Sequence, residues 1–182
     1  VPLSLLSGPV VGGTHLVAVA AGWLYNRPLK ATPFSVLPYL VAFGLLPAFV
    51  VLGLPGQPAP PWWLCTAGAL LGAGAHFFNA LPDLADDRAA GIRGLPHRLG
   101  ARASLASGGL LLFAASLVLA FGPAGGPTRS GLAGVAVAAL ALLGGTITAR
   151  RAGSRAAFRT VLLVAVVDVA LLMLAGTALR GR

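Results

Sequence analysis

Cysteine and carboxylate are both scarce in this chain. Its single cysteine, Cys65, opens an apolar run, which excludes an intramolecular disulfide framework and a thiolate metal site and leaves a small packing residue. Glutamate is absent, and all four acidic residues are aspartate. Charged residues of both signs fill only 9% of the 182 positions, too few to solvate the surface of a soluble domain of this length. The chain opens with Val1, turns apolar at once and shows neither the basic segment nor the small-residue cleavage site of a secretory signal, so it reads as a sequence entered partway through, an N-terminally truncated fragment.

What is present is apolar surface. Hydrophobic residues make up 57% of the chain and the mean hydropathy is +0.89, values that define an integral membrane protein. A net charge of +9 raises the question of nucleic acid, but the basic residues lie in short loops between apolar runs and form no stripe, which argues against it. A bilayer core of about 30 Å needs roughly 20 apolar residues of helix. Six runs qualify: Leu3–Leu24, Phe34–Leu52, Trp62–Leu81, Ser104–Phe121, Gly131–Thr148 and Thr160–Leu179. They are divided by RPLKATP, GLPGQPAPP, an Asp/Arg segment, GPAGGPTR and ARRAGSRAAFR. The expected fold is therefore all-α, one polytopic transmembrane bundle of about six helices over residues 1–182. Ten basic residues fall in the first, third and fifth connections, and only Arg129, Arg180 and Arg182 lie on the other side. The positive-inside rule makes the ten-residue side cytoplasmic and turns both chain ends outward.

Three of the four aspartates crowd into five positions of NALPDLADDRAAGIRGLPHRLG, residues 79–100. If the third helix continues past Pro82, then His76, Asn79, Asp83 and Asp87 share one face at spacings of three, four and four, with Asp86 beside them. Gly91 and Gly94 mark where that helix stops. An amide oxygen and two or three carboxylates at the mouth of a bundle suit Mg²⁺, which takes one or two carboxylates together with substrate phosphates. The plainer alternative is a solvated loop in which aspartates offset arginines. The helical spacing, the asparagine on the same face and the anion-binding donors of GIRGLPHRLG weigh against it.

The same stretch resembles the second Asp-rich motif of the UbiA superfamily of intramembrane prenyltransferases, D-x-x-D-x-x-x-D followed by Gly-[IV]-[KR] and Leu-Pro-x-Arg-x-Gly. Upstream, WLYNRPLKATPFSVLPYLVAFGLLP is similar to the family's loop and helix after its fourth span, so the six runs correspond to spans four to nine of nine. The resemblance implies an enzyme that transfers an isoprenoid chain from a prenyl diphosphate to a lipophilic, commonly aromatic, acceptor in the membrane, with Mg²⁺ at the diphosphate. Asp83 and Asp87 then become the catalytic carboxylates, and Asn79, Asp83, Asp86 and Asp87 the metal-ligand candidates. Tyr25, Arg27 and Lys30 of YNRPLK, with Arg93 and Arg98, are candidates for the diphosphate oxygens, although topological anchoring alone also accounts for the basic ones. Composition rich in Ala, Gly and Arg suggests a bacterium, hence a plasma-membrane protein with its site on the cytoplasmic face.

Two departures stand out. The family's first Asp position falls on Ala80, next to Asn79, giving N-x-x-x-D-x-x-x-D. The family's other Asp-rich motif precedes the region that this sequence matches, so the 182 residues alone are expected to be inactive and a full-length parent active. Asp168, the fourth acid, lies mid-helix and is expected to bond a neighbouring helix, as are His15 and His76. His97 is expected to be a loop residue rather than a general base, and Trp23, Phe77 and Phe78 are candidates for the isoprenoid path, with simple packing the favoured role for any one of them. Two rival readings remain, a transporter fragment using the Asp cluster for a cation and an inactive structural half-protein.

Overall fold

The computed structural model describes residues 2–152 apart from 55, 57 and 58, together with 163, 164, 166, 167, 169, 170 and 173. Among the described residues there are seven α-helices and no strand: α1 (Pro2–Leu5), α2 (Pro9–Asn26), α3 (Leu37–Leu52), α4 (Trp62–Ala80), α5 (Leu84–Ala89), α6 (Leu95–Phe121) and α7 (Arg129–Ala152). A 3-10 turn at Leu29–Ala31 joins α2 to the approach of α3. The all-α bundle expected from the apolar runs is the fold observed. Of the sixth expected span, Thr160–Leu179, the seven described positions are helical, and Asp168 lies outside the described residues.

Proline decides where the observed helices depart from the expected ones. The first run divides at Leu6–Gly8 because Pro9, at the start of α2, disfavours helical backbone in the residue before it, and Gly8 takes φ 96°. The run expected to start at Ser104 starts at Leu95, with Pro96 in its first turn, and breaks its helical path at Gly100 (φ 79°, ψ 171°). Ser104 Oγ donates to the Pro96 carbonyl at 3.1 Å, a bond that spans the break.

Helix α4 is the centre of the bundle, packed against α3 on one side and α6 on the other, with α2 beyond α3 and α7 beyond α6. Small residues permit this. A side chain at Gly72 would place its Cβ 2.5 Å from Phe43 Cβ and 2.7 Å from the Tyr39 carbonyl, so α3 and α4 approach nearly backbone to backbone, as in membrane helix pairs. Phe78, Leu81, Leu84 and Leu112 form a core at one end, and Trp63, Leu64, Ala67 and Leu119 form another at the opposite end of α4. The outer surface is apolar: Leu3, Val10, Trp23, Trp62, Leu110 and Leu140 are all at least 65% exposed. An aqueous surface does not tolerate so much outward apolar area, and lipid does. Helix α6 is by length and composition able to cross the bilayer, while α3 and Arg129–Gly144 of α7 are shorter apolar helices.

Candidate active site

Pro82 sets the local geometry of the Asp-rich segment. Without an N–H, and with a ring that crowds the preceding turn, it stops α4 at Ala80 and the chain turns through Leu81–Asp83 into the short α5. The continuous helix that would carry His76, Asn79, Asp83 and Asp87 on one face is therefore not formed. Their convergence survives because the turn at 81–83 keeps near-helical dihedrals, Leu81 at φ −59°, ψ −45° and Asp83 at φ −101°, ψ 4°. Asp83 is the N-cap residue of α5 but its carboxylate makes no cap bond, while its carbonyl accepts the Asp87 N–H at 2.8 Å. Two carboxylates thus stand one turn apart.

The glycine stop falls where the sequence places it. Gly91 takes φ 80°, its N–H donates to the Arg88 carbonyl at 3.1 Å, and the Ile92 N–H donates to Asp87 at 2.8 Å. This is a Schellman closure, and it requires the left-handed conformation that glycine adopts without strain. Three residues on, Gly94 fits where a Cβ would lie 2.5 Å from the Lys30 carbonyl and 3.1 Å from Ser35 Oγ. The loop after the aspartates is thereby pressed against the segment between α2 and α3.

That contact closes a cavity of about 140 Å³, lined among others by Tyr25, Lys30, Asn79, Ala80, Asp83 and Asp87. Lys30 Nζ is 3.5 Å from Asp87 Oδ1, with the lysine side chain 39% and the aspartate 19% exposed. His97 Nε2 is 3.2 Å from Asp87 Oδ2, so both oxygens of one carboxylate are engaged from different elements. Beneath them Ser35 Oγ accepts the Leu95 N–H at 2.9 Å and lies 3.0 Å from His76 Nε2. The His76 ring is held by the edge of Tyr25 (centroids 5.7 Å apart) and by Tyr39 (4.9 Å). One buried network therefore ties α4, the start of α6 and the stretch before α3 into the floor of the cavity.

Of the residues singled out from sequence, Tyr25, Lys30, Asn79, Asp83 and Asp87 meet at this cavity. Asp86 is exposed and does not line it. Arg27 is also exposed and outside it, and its backbone N–H ends α2 on the Trp23 carbonyl. Arg93 and Arg98 line a separate cleft with Arg88 and His97. His97 is not the free loop residue expected from sequence but a buried ring, 8% exposed, lining both cavities. His76 is buried as expected, but its partner is Ser35 in the turn before α3 rather than a neighbouring helix, while His15 stacks on Phe49 and pairs with Ser4 of α1. Trp23 is 76% exposed, whereas Phe77 and Phe78 are buried. Ser35 was not legible as a site residue, since a lone serine between two prolines carries no spacing signal.

The donor set bears on a metal. Among the described residues no three of His, Cys, Asp and Glu converge on one metal-sized point. Two carboxylates and an amide oxygen on one wall cannot cage an ion, but they fit Mg²⁺, which uses one or two carboxylates and takes its other ligands from water and phosphate.

The helices thus carry an apolar outer face, with a polar cavity of carboxylate, amide and ammonium groups at one end. Comparison with known families gives the class. The UbiA prenyltransferase family matches residues 1–167, and the chain belongs to that family. No curated protein and no solved structure matches it.

Proposed function

We propose that the cavity at Asp83 and Asp87 binds the diphosphate of an isoprenoid diphosphate together with Mg²⁺, and that the protein containing it transfers the isoprenoid to a lipophilic, aromatic acceptor within the membrane. Family membership supports prenyl transfer in general. The observation that carries the finer reading is that Lys30, from a distant part of the chain, lines one cavity with Asn79, Asp83 and Asp87, which stay together despite the helix break at Pro82.

Asn79, Asp83 and Asp87 are the residues that would hold Mg²⁺, whose contribution is to neutralise charge developing on the diphosphate as the allylic carbon–oxygen bond breaks. The electron pair of that bond leaves with the diphosphate, a ring carbon of the acceptor forms the new bond to the allylic carbon, and the ring then loses its proton. Lys30 supplies a positive charge to the phosphate oxygens and the Tyr25 hydroxyl a hydrogen bond. The Lys30–Asp87 pair contributes little to stability at such exposure, about 0–1 kcal/mol; its role is to keep the ammonium at the carboxylate edge. His97 orients Asp87 from the opposite side, and Arg88 pins His97 through its carbonyl at 3.1 Å. Apolar helices around the cavity exclude water from the allylic cation. The excess of basic residues on this side supports a site at the cytoplasmic face, and the Ala-, Gly- and Arg-rich composition supports a bacterial plasma membrane.

The test is transfer of a radiolabelled prenyl diphosphate in membranes containing these residues together with the family's other Asp-rich motif. Mg²⁺-dependent product that falls by orders of magnitude in Asp83→Ala supports the site. Undiminished transfer in that variant contradicts it.

A further inference from the structure

The arginines that follow the aspartates face a different cavity. Arg88, Arg93 and Arg98, with His97, line a cleft of about 320 Å³ that has no acidic residue in its wall. Arg98 Nε donates to the Arg93 carbonyl at 2.9 Å, and Arg88 Nη2 donates to the His97 carbonyl at 3.1 Å. Each bond uses one of the five N–H groups of a guanidinium, so both side chains are fixed in direction with donors to spare. Among the described residues the ion pairs are those of Asp87 with Lys30 and His97, and no carboxylate neutralises any of the three arginines.

Loop arginines that act only as topology signals need neither a shared cavity nor side chains anchored by backbone carbonyls. Three like charges around one space repel one another and are relieved by an anion. Guanidinium forks match the paired oxygens of a phosphate group, and basic pockets at the ends of membrane helices take phosphate-bearing headgroups. All three arginines are exposed, so the cleft opens to a ligand arriving along the membrane surface or from solution. His97 is the partition: its ring lines both this cleft and the carboxylate cavity, and its Nε2 is bonded to Asp87 on the other side.

We infer that the cleft of Arg88, Arg93 and Arg98 is a second anion site, distinct from the carboxylate cavity, that binds a phosphate group carried by an anionic lipid headgroup or by a free phosphate ion. The test uses the full chain in nanodiscs, comparing the parent with the Arg93→Gln/Arg98→Gln variant; Arg88 is left intact because it holds His97. One arm measures retention of phosphatidylglycerol against phosphatidylcholine by native mass spectrometry. The other titrates inorganic phosphate into nanodiscs of phosphatidylcholine alone. Loss of roughly 30-fold in affinity in the variant, in the lipid arm or the phosphate arm, supports the site and identifies its ligand source. Equal binding by parent and variant in both arms, or no binding by the parent, overturns it. An independent reading on the parent alone is phenylglyoxal modification followed by peptide mass spectrometry: protection of Arg93 and Arg98 by the bound anion supports the site, and unchanged modification overturns it.

Discussion

His97 and Asp87 face each other across 3.2 Å, ring nitrogen to carboxylate oxygen, and join the first turn of α6 to the short helix of the Asp-rich segment. Lys30 approaches the other oxygen of the same carboxylate at 3.5 Å. Asp87 is thus held from two elements while Asp83, one turn earlier, makes no cap bond.

The His97 contact makes a positioning role testable. His97→Phe keeps a ring in the buried space but removes the bond to Asp87. We expect the apparent affinity for Mg²⁺ at the cavity to fall about tenfold, with smaller change in affinity for a prenyl thiodiphosphate in saturating Mg²⁺. His97→Gln, which keeps a polar group facing the carboxylate, should recover part of the loss. Identical Mg²⁺ titrations for the parent and both variants would refute the role.

Ser35→Ala removes the acceptor of the Leu95 N–H and the partner of His76 Nε2 at once. A buried donor left unpaired costs about 1–3 kcal/mol. The apparent melting temperature in detergent should fall accordingly, and an unchanged transition would show that the network contributes nothing.

Gly94→Ala tests the closure of the cavity. Its methyl group would press on the Lys30 carbonyl and Ser35 Oγ, and overpacking of this kind costs about 1–3 kcal/mol. The variant should be less stable and bind prenyl thiodiphosphate more weakly, because Lys30 moves with its backbone. Gly126→Ala, at a position with φ 81° but nothing near the added Cβ, is a control expected to leave diphosphate binding unchanged.

Gly72→Leu forces α3 from α4 at Phe43 and Tyr39. Since Tyr39 packs on His76, the separation should reach the cavity as well as the bundle. Loss of monodisperse protein on size exclusion in detergent is the expected result; a variant as well behaved as the parent contradicts the close approach.

Much of this was legible in the residues themselves. Apolar runs of membrane length gave the helices, the stop at Gly91 followed from its place after ADDRAA, and Asn79, Asp83 and Asp87 were marked by their four-residue spacing. Periodicity misled at Pro82. It treats the chain as one helix, whereas the molecule breaks and then resumes it, and Asn79, Asp83 and Asp87 line one cavity because the turn stays near helical geometry. Spacing also does not say which way a loop folds back. Arg93 and Arg98 are candidates for phosphate contacts by sequence, and in the fold they line, with His97, a cleft separate from the cavity of the aspartates. Ser35 and His97 acquire their roles only from contacts made across the bundle.

The most direct measurement is binding of a non-cleavable prenyl thiodiphosphate to the chain in nanodiscs, titrated with and without Mg²⁺, for the parent and for Asp83→Asn/Asp87→Asn. The carboxylate cavity predicts Mg²⁺-dependent binding in the parent and a loss of about 100-fold or more in the variant, which lacks both carboxylates proposed to hold the metal. Binding of equal strength in the two proteins, or binding in the parent that ignores Mg²⁺, would contradict the central claim.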